Sequence, residues 1–184
     1  MRKIAILATV LAGIGFGCGH NSSRDIPAVK GFELDRYLGV WYEIARLPNR
    51  FERGMTQVKA EYSALPENRI RVVNRGIKAG QPAEITGVAR SNGAADTGEL
   101  EVSFFWPFYG DYRIIKLAPD YRYSVVVGSD RGYLWVLSRT PELSPGEWQE
   151  IRTFLQQHNF PIESLIFSWG EPESALQSDS SGNV

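Results

Sequence analysis

Eight short runs in which apolar and polar side chains alternate, each set off from the next by a turn, constrain this chain more than any other feature. They cover 41–47, 57–64, 69–77, 83–90, 99–106, 112–118, 122–128 and 133–139. A period of two marks strands with one buried face. Val58, Ala60, Tyr62 and Ala64 share a face while Lys59 and Glu61 point away, and Leu100, Val102 and Phe104 do the same against Glu99, Glu101 and Ser103. The links carry turn residues: Pro66-Glu67-Asn68, Asn92-Gly93, Tyr109-Gly110-Asp111 and Asp130-Arg131-Gly132. Short links make successive strands antiparallel neighbours. An open sheet of this size would leave two unpaired edges, so the pattern predicts an all-β, eight-stranded antiparallel up-and-down barrel, with a two-sheet sandwich as the alternative. A barrel of eight strands has room inside for side chains or one small ligand.

One helix is predicted after the strands. Ser144 caps it, Pro145 takes the first helical position and Glu147 completes a capping box. Trp148, Ile151, Leu155 and His158 form its buried stripe, and a short final strand is expected at 164–169.

Strand parity sorts the loops. If the first strand rises from a base, the eighth ends there, so Trp41, the Asp120-Tyr121 turn and Arg139 gather at the base. Trp41 can plug that end with Arg139 stacked over its ring. Loops 48–56, 78–82, 106–111 and 129–132 then surround an open mouth, where Trp106, Phe108 and Tyr109 form an aromatic patch. Such a patch admits ligands, touches a membrane or a second subunit, or folds over the core. Arg50, Arg53, Lys78 and Arg131 share the rim with Glu52, Asp111 and Asp130. The alternation in the first run aligns Trp41, Glu43, Ala45 and Leu47 on the inner face, and Glu43 needs a partner there, more simply a structural one than a ligand.

Gly39-x-Trp41, Asp120-Tyr121 and Arg139, in that order, resemble the three signature regions of the lipocalins. "GVWYEIARLPNRFERG", "FFWPFYGDYRII" and "YLWVLSRTP" are most similar to the bacterial outer-membrane branch of that family, and more distantly to the apolipoprotein D branch. The resemblance covers nearly all of 32–169 and implies a ligand-binding barrel. It assigns structural roles to Gly39, Trp41, Asp120, Tyr121 and Arg139, and it matches Tyr62, Asn74, Tyr112 and Trp135 to pocket positions. Alternation adds Phe104 and Leu137 to the same wall.

Arg2 and Lys3 precede an apolar stretch at 4–16 that is too short to span a bilayer comfortably, so residues 1–17 read as an export signal. Cys18 is the only cysteine, which excludes an intramolecular disulfide. Its position resembles the lipid-attachment cysteine of bacterial lipoproteins, although Gly15 stands where they usually carry Leu. Plain small-x-small cleavage leaving a free thiol is the alternative. By the same resemblance Gly19 favours delivery to the outer membrane. Residues 18–30 read as a tether, 31–170 as the folded domain and 171–184 as a solvated tail.

The formal net charge of −1 gives no basic face for nucleic acid. The histidines, His20 and His158, fall in the tether and on the helix, and no metal-spaced cluster, phosphate loop or nucleophile elbow occurs. The expectation is a carrier, not an enzyme, with no cofactor or metal. It would be anchored to the outer membrane and would bind a lysophospholipid or fatty acid for lipid storage or transport in membrane maintenance. An interaction module or homodimer docking through the aromatic mouth, or a carrier of another apolar ligand, is the alternative.

Overall fold

The computed structural model describes residues 22–170. Strands β1 (Gly39–Arg46), β2 (Met55–Leu65), β3 (Arg69–Lys78), β4 (Gln81–Ser91), β5 (Glu99–Phe105), β6 (Phe108–Leu117), β7 (Tyr123–Val127) and β8 (Leu134–Ser138) pair each with the next. β8 returns to β1, which also pairs with β2, so the sheet closes as the eight alternating runs predict and the sandwich falls away. Helix α1 (Leu34–Tyr37) precedes the barrel, and helix α2 (Pro145–Gln157) and a two-residue strand β9 (Ile166–Phe167) follow it. The final strand is thus shorter than the expected 164–169, because 162–164 turn as a 3-10 helix. The loop expected at 106–111 is mostly strand: Phe105 pairs with Phe108 across a tight hairpin.

Two apolar cores flank the barrel wall. Inside lie Trp41, Ile70, Val72, Leu100, Ile114 and Val126. Outside, Val125, Val127, Leu134 and Val136 meet Trp148, Ile151 and Leu155 of α2. Burial on both faces makes β7 an unbroken apolar run, YSVVV apart from Ser124. The predicted capping box starts α2, with the Glu147 N–H donating to Ser144 Oγ and the Ser144 N–H to Glu147 Oε2. His158 lies just past that helix, half-buried against the Phe154 ring.

The inner face expected for β1 holds only as far as Glu43. A β-bulge at Ile44 inserts one unpaired residue, and every side chain beyond it changes side. Ala45 and Leu47 therefore join the outer core, whereas Arg46, opposite the inward-facing Trp135, is buried within the structure.

The bulge accompanies a seam. β1 and β2 pair only from Gly39–Tyr42 to Tyr62–Lys59, and above that level the C-terminal segment fills the gap. β9 pairs with Ala45 and Arg46. The Ser168 N–H donates to Ile44 O (3.1 Å), and Ser168 O accepts from the Gln57 N–H (2.6 Å). Beneath this stitch Arg46 donates to Glu43 Oε1 (2.5 Å), Ser168 Oγ (2.9 Å), Met55 O (2.9 Å) and Glu52 O (3.0 Å). The Ser168 hydroxyl also donates to Glu43. Glu43 thus has a structural partner.

Of the tether expected over 18–30, residues 22–30 lie along the outer wall, and 18–21 are outside the described residues, as are the export signal and the tail at 171–184. Ser23 Oγ–H donates to Gly128 O (2.6 Å), Arg113 donates to Ser23 O (2.7 Å) and Ile26 O (2.8 Å), and Ile26 is buried in the outer core. This strap descends from the mouth to the base, where Lys30 bridges Thr97 and the Phe32 N–H donates to Asp96 O.

At the base Trp41 is fully buried, its Nε1–H donating to Tyr37 O (2.7 Å). The Arg139 guanidinium lies 3.9 Å from the Trp41 ring centroid. It donates to Arg36 O in α1 (2.7 Å), Val40 O in β1 (3.0 Å) and Tyr121 O in the β6–β7 turn (3.3 Å). Gly39 has φ +97°, and a Cβ there would stand 3.3 Å from Arg139 Nη1. Asp120 takes no part in the plug: it pairs with Arg122 (2.8 Å) at the surface and shapes the turn before Tyr121. The Tyr121 hydroxyl accepts from the Glu33 N–H (2.8 Å), fastening the strap to that turn.

Two outcomes follow for stability. Arg139→Ala removes a cation–π contact and three charge-assisted hydrogen bonds, and should lower unfolding free energy by about 2–4 kcal/mol in urea titrations. Arg139→Lys should recover only a minor part, since an ammonium cannot serve three diverging carbonyls from one plane. Burial, reinforced by the Glu52 charge, pushes the Glu43 carboxyl up to about 8 from its ordinary 4.5, against the pull of Arg46 and Ser168. The folded protein then holds a proton that the unfolded chain has already released, so this group's contribution to stability is present below pH 4.5 and is lost as pH rises towards 8. Glu43→Gln should flatten that decline when denaturation midpoints are compared across the window. A wild type that gains stability through the same window would mean that the Arg46 pairing keeps Glu43 ionised.

Candidate functional site: a cavity inside the barrel

With its base plugged, the barrel retains an interior cavity of about 400 Å³ that opens between the loops of the opposite end. That volume falls within the ordinary range for small-molecule pockets. Strand alternation supplies the wall: Val58, Ala60 and Tyr62 from β2, Val72 and Asn74 from β3, Val102 and Phe104 from β5, and Trp135 and Leu137 from β8. All six ligand-binding residues expected from the sequence, Tyr62, Asn74, Phe104, Tyr112, Trp135 and Leu137, line this one space. Gly87 makes room for one of them, since a Cβ there would stand 2.7 Å from the Phe104 ring.

The floor is polar but self-satisfied. The Tyr112 hydroxyl lies 2.8 Å from that of Tyr37 and 3.0 Å from that of Tyr62, and Tyr37 reaches Ser124 Oγ at 3.1 Å. Burial pushes the Tyr37 hydroxyl up to about 12 and raises Tyr62 and Tyr112 as well, so the three remain neutral throughout the physiological range. In the wall above, Asn74 Oδ1 is buried with no hydrogen-bond partner among the described residues. A buried acceptor left open is costly unless a ligand or water meets it.

The upper wall carries charge. Glu52, read from the sequence as a rim residue, turns into the cavity and accepts from Trp135 Nε1–H (2.8 Å) and Asn49 Nδ2–H (2.7 Å). Its carboxylate stands 3.9 Å from Arg46 Nε, which makes Glu43, Arg46 and Glu52 one cluster. Tyr133 stacks on Trp135 (6.3 Å) and Phe51 tilts against Tyr133 (5.9 Å), giving the mouth an aromatic lip.

The other rim charges divide. Arg50 and Arg53 are exposed on the β1–β2 loop, and Lys78 ends β3 half-buried. Arg131 turns away from the mouth to Asp25 (2.5 Å) and the His158 carbonyl. Asp111 faces Arg24 at 3.5 Å, and Asp130 accepts from the Gly132 N–H (2.7 Å), so these carboxylates do not act as a pair. Tyr109 lines the cavity beneath the Arg90 guanidinium (4.2 Å); Phe105 and Phe108 border the same space while keeping an exposed side, and Trp106 stands out into solvent. Among the described residues no three His, Cys, Asp or Glu side chains gather as metal ligands.

Sequence reasoning missed Tyr37 and placed Glu52 on the rim, not in the cavity. Tyr37 comes from α1, whose four residues are too few to show a helical period. Glu52 sits in a loop, where alternation carries no information.

Comparison with known proteins agrees with this geometry. The family profile of the lipocalin-like domain matches residues 32–169. Outer membrane lipoprotein Blc of Escherichia coli K12 is 42% identical over 171 residues, covering 91% of this chain and 97% of the relative. Its Vibrio cholerae namesake is 41% identical over 171 residues, 91% of this chain and 98% of the relative. Bovine apolipoprotein D is 28% identical over 91% of this chain and 95% of the relative. Among solved structures, insecticyanin from Manduca sexta aligns with a TM-score of 0.67 at 20% identity, covering 82% of this chain and 87% of that one, a likeness of fold. By its barrel, its plugged base and its sequence, the chain belongs to the lipocalin family.

Proposed function

We propose that the protein is a lipid carrier of the outer membrane, anchored through an acylated Cys18, that takes one acyl chain of a lysophospholipid or fatty acid into its barrel. It thereby stores or moves lipids in membrane maintenance. The observation that carries this reading is a mostly apolar cavity of about 400 Å³, closed at one end and open at the other. The outer-membrane location follows the four relatives named outer membrane lipoprotein Blc. Each methylene leaving water contributes about 0.8 kcal/mol, which exceeds the cost of association only for a long chain. Cavity and anchor both favour binding over catalysis.

Within this reading the polar groups favour a lysophospholipid. Arg46 spends its donors on Glu43, Glu52, Met55 and Ser168, so among the described residues the cation that the cavity offers a headgroup is Arg50 at its rim. The open acceptor of Asn74 suits a glycerol hydroxyl, which a fatty acid lacks. A phosphate headgroup would then rest at the rim beside Arg50 and Arg53.

Soluble protein starting at Gly19, delipidated by unfolding and refolding, should show a saturable change in tryptophan fluorescence on titration with a lysophospholipid. Trp135→Asp, which lacks the pocket fluorophore, should abolish binding read by isothermal titration calorimetry, with the circular dichroism unchanged. Asn74→Leu should weaken lysophospholipid binding about fivefold, the worth of one hydrogen bond, and leave fatty acid binding nearly unaltered. A flat wild-type titration would overturn the lysophospholipid reading.

The exposure of Phe105, Trp106 and Phe108 favours a second reading, in which the mouth docks a partner protein or another copy of the chain. That reading expects a doubled mass in analytical ultracentrifugation and no lipid uptake; a homodimer that also takes up lipid satisfies both.

A further inference from the structure

The strap bears on how the barrel is oriented at its membrane. Ser22 bridges Asp130, and Ser23, fully buried, bonds Gly128 and Ser129. All three partners belong to the β7–β8 link at the mouth. Cys18 precedes Ser22 by four residues, a reach of at most about 14 Å for extended chain. An acyl anchor on that cysteine therefore holds the open end close to the bilayer, with the plugged base a full strand length farther away.

The surface at this end suits lipid. Trp106 is 83% exposed and Phe108 56%, Phe105 is exposed beside them, and Phe51 is exposed on the β1–β2 loop across the mouth. Aromatic rings that keep an apolar body and a polar or polarisable edge settle at the headgroup boundary. Arg50 and Arg53 stand exposed on the β1–β2 loop across the mouth, and the Arg24 side chain is 75% exposed, which adds attraction to anionic headgroups. The base turns present Glu67, Asn68, Asn92 and Asp96 to solvent, all of them polar.

We infer that the barrel sits mouth-down on the bilayer, with the β5–β6 hairpin tip at Phe105–Phe108 seated in the headgroup layer and the cavity opening onto lipid. The occupant of the aromatic patch is the membrane surface itself. This rests on the reading of Cys18 as acylated, and it is independent of which ligand enters the cavity. In this arrangement a lipid passes from bilayer to barrel along an aromatic lip without crossing water.

The test uses the full chain purified from membranes and returned to vesicles of phosphatidylethanolamine and phosphatidylglycerol that contain nitroxide-labelled lipid. Arg53→Cys at the mouth and Asn92→Cys at the base each carry a nitrobenzoxadiazole label, Cys18 being blocked by its acyl chain. Quenching should be several-fold stronger at position 53 than at position 92. Trp106→Ser with Phe108→Ser should reduce it at position 53 while the protein stays with the vesicles. Equal quenching at both positions, or stronger quenching at 92, overturns the orientation. Intact mass distinguishes the other failure: a chain without acyl groups overturns the anchor reading and this inference with it. A soluble form that sediments as a dimer, with the label at 53 already shielded in the absence of lipid, assigns the patch to a second copy and also overturns it.

Discussion

Barrel closure is the constraint on which the rest of this structure depends, and its weak point is the seam between β1 and β2. Only the lower part of that junction is paired directly, from Gly39–Tyr42 to Tyr62–Lys59. Had the upper part stayed open, two rows of backbone donors and acceptors would face water beside an apolar cavity. Ser168 is the remedy, taking a hydrogen bond from one strand and giving one to the other. The bulge at Ile44 and the left-handed Gln57, φ +52°, bend the two strands apart enough to admit it. Arg46, turned inward by the bulge, fills the space beneath and is satisfied by two backbone carbonyls, a hydroxyl and a carboxylate.

The two ends of the barrel are built on opposite principles. At the base every polar group of the plug has a protein partner: Trp41 Nε1–H bonds Tyr37 O, Arg139 serves three carbonyls, and the tyrosine hydroxyls satisfy one another. Nothing there is left for a ligand, and the guanidinium over the indole seals it. Towards the mouth Asn74 Oδ1 has no partner among the described residues, and Glu52 accepts from Trp135 and Asn49 at one carboxylate oxygen, Oε2. That asymmetry gives the cavity a direction, with a self-satisfied floor and its open polar groups towards the mouth.

Much of this was legible in the residues. Period-two alternation identified the inner faces of β2, β3, β5, β6 and β8, and with them all six wall residues, because one side of each strand is buried. Trp41 and Arg139 could be brought together by parity alone, since an even number of strands returns the chain to its starting end. The rule failed where its premise failed. One inserted residue at Ile44 reversed Ala45, Arg46 and Leu47, and nothing in "YEIAR" announces an insertion. Residues 22–30 read as part of a tether because their composition is polar. Their order comes from Arg113, far away in sequence, whose guanidinium reaches two strap carbonyls. Asp120 looked like a member of the plug by position, but it only shapes the turn that delivers Tyr121.

The stitch at Ser168 also sets an order of events. The contact from Arg46 to Ser168 spans 122 residues, and that from Ser23 to Gly128 spans 105. A chain that emerges amino-terminus first, from a ribosome or through a translocation channel, can form its hairpins one after another. It cannot complete its cylinder until nearly its last described residue is free. Such distant pairings make for slow folding, and the unfinished cylinder leaves the upper edges of β1 and β2 uncovered in the meantime. Until β9 arrives, those edges stay open to pairing with another chain.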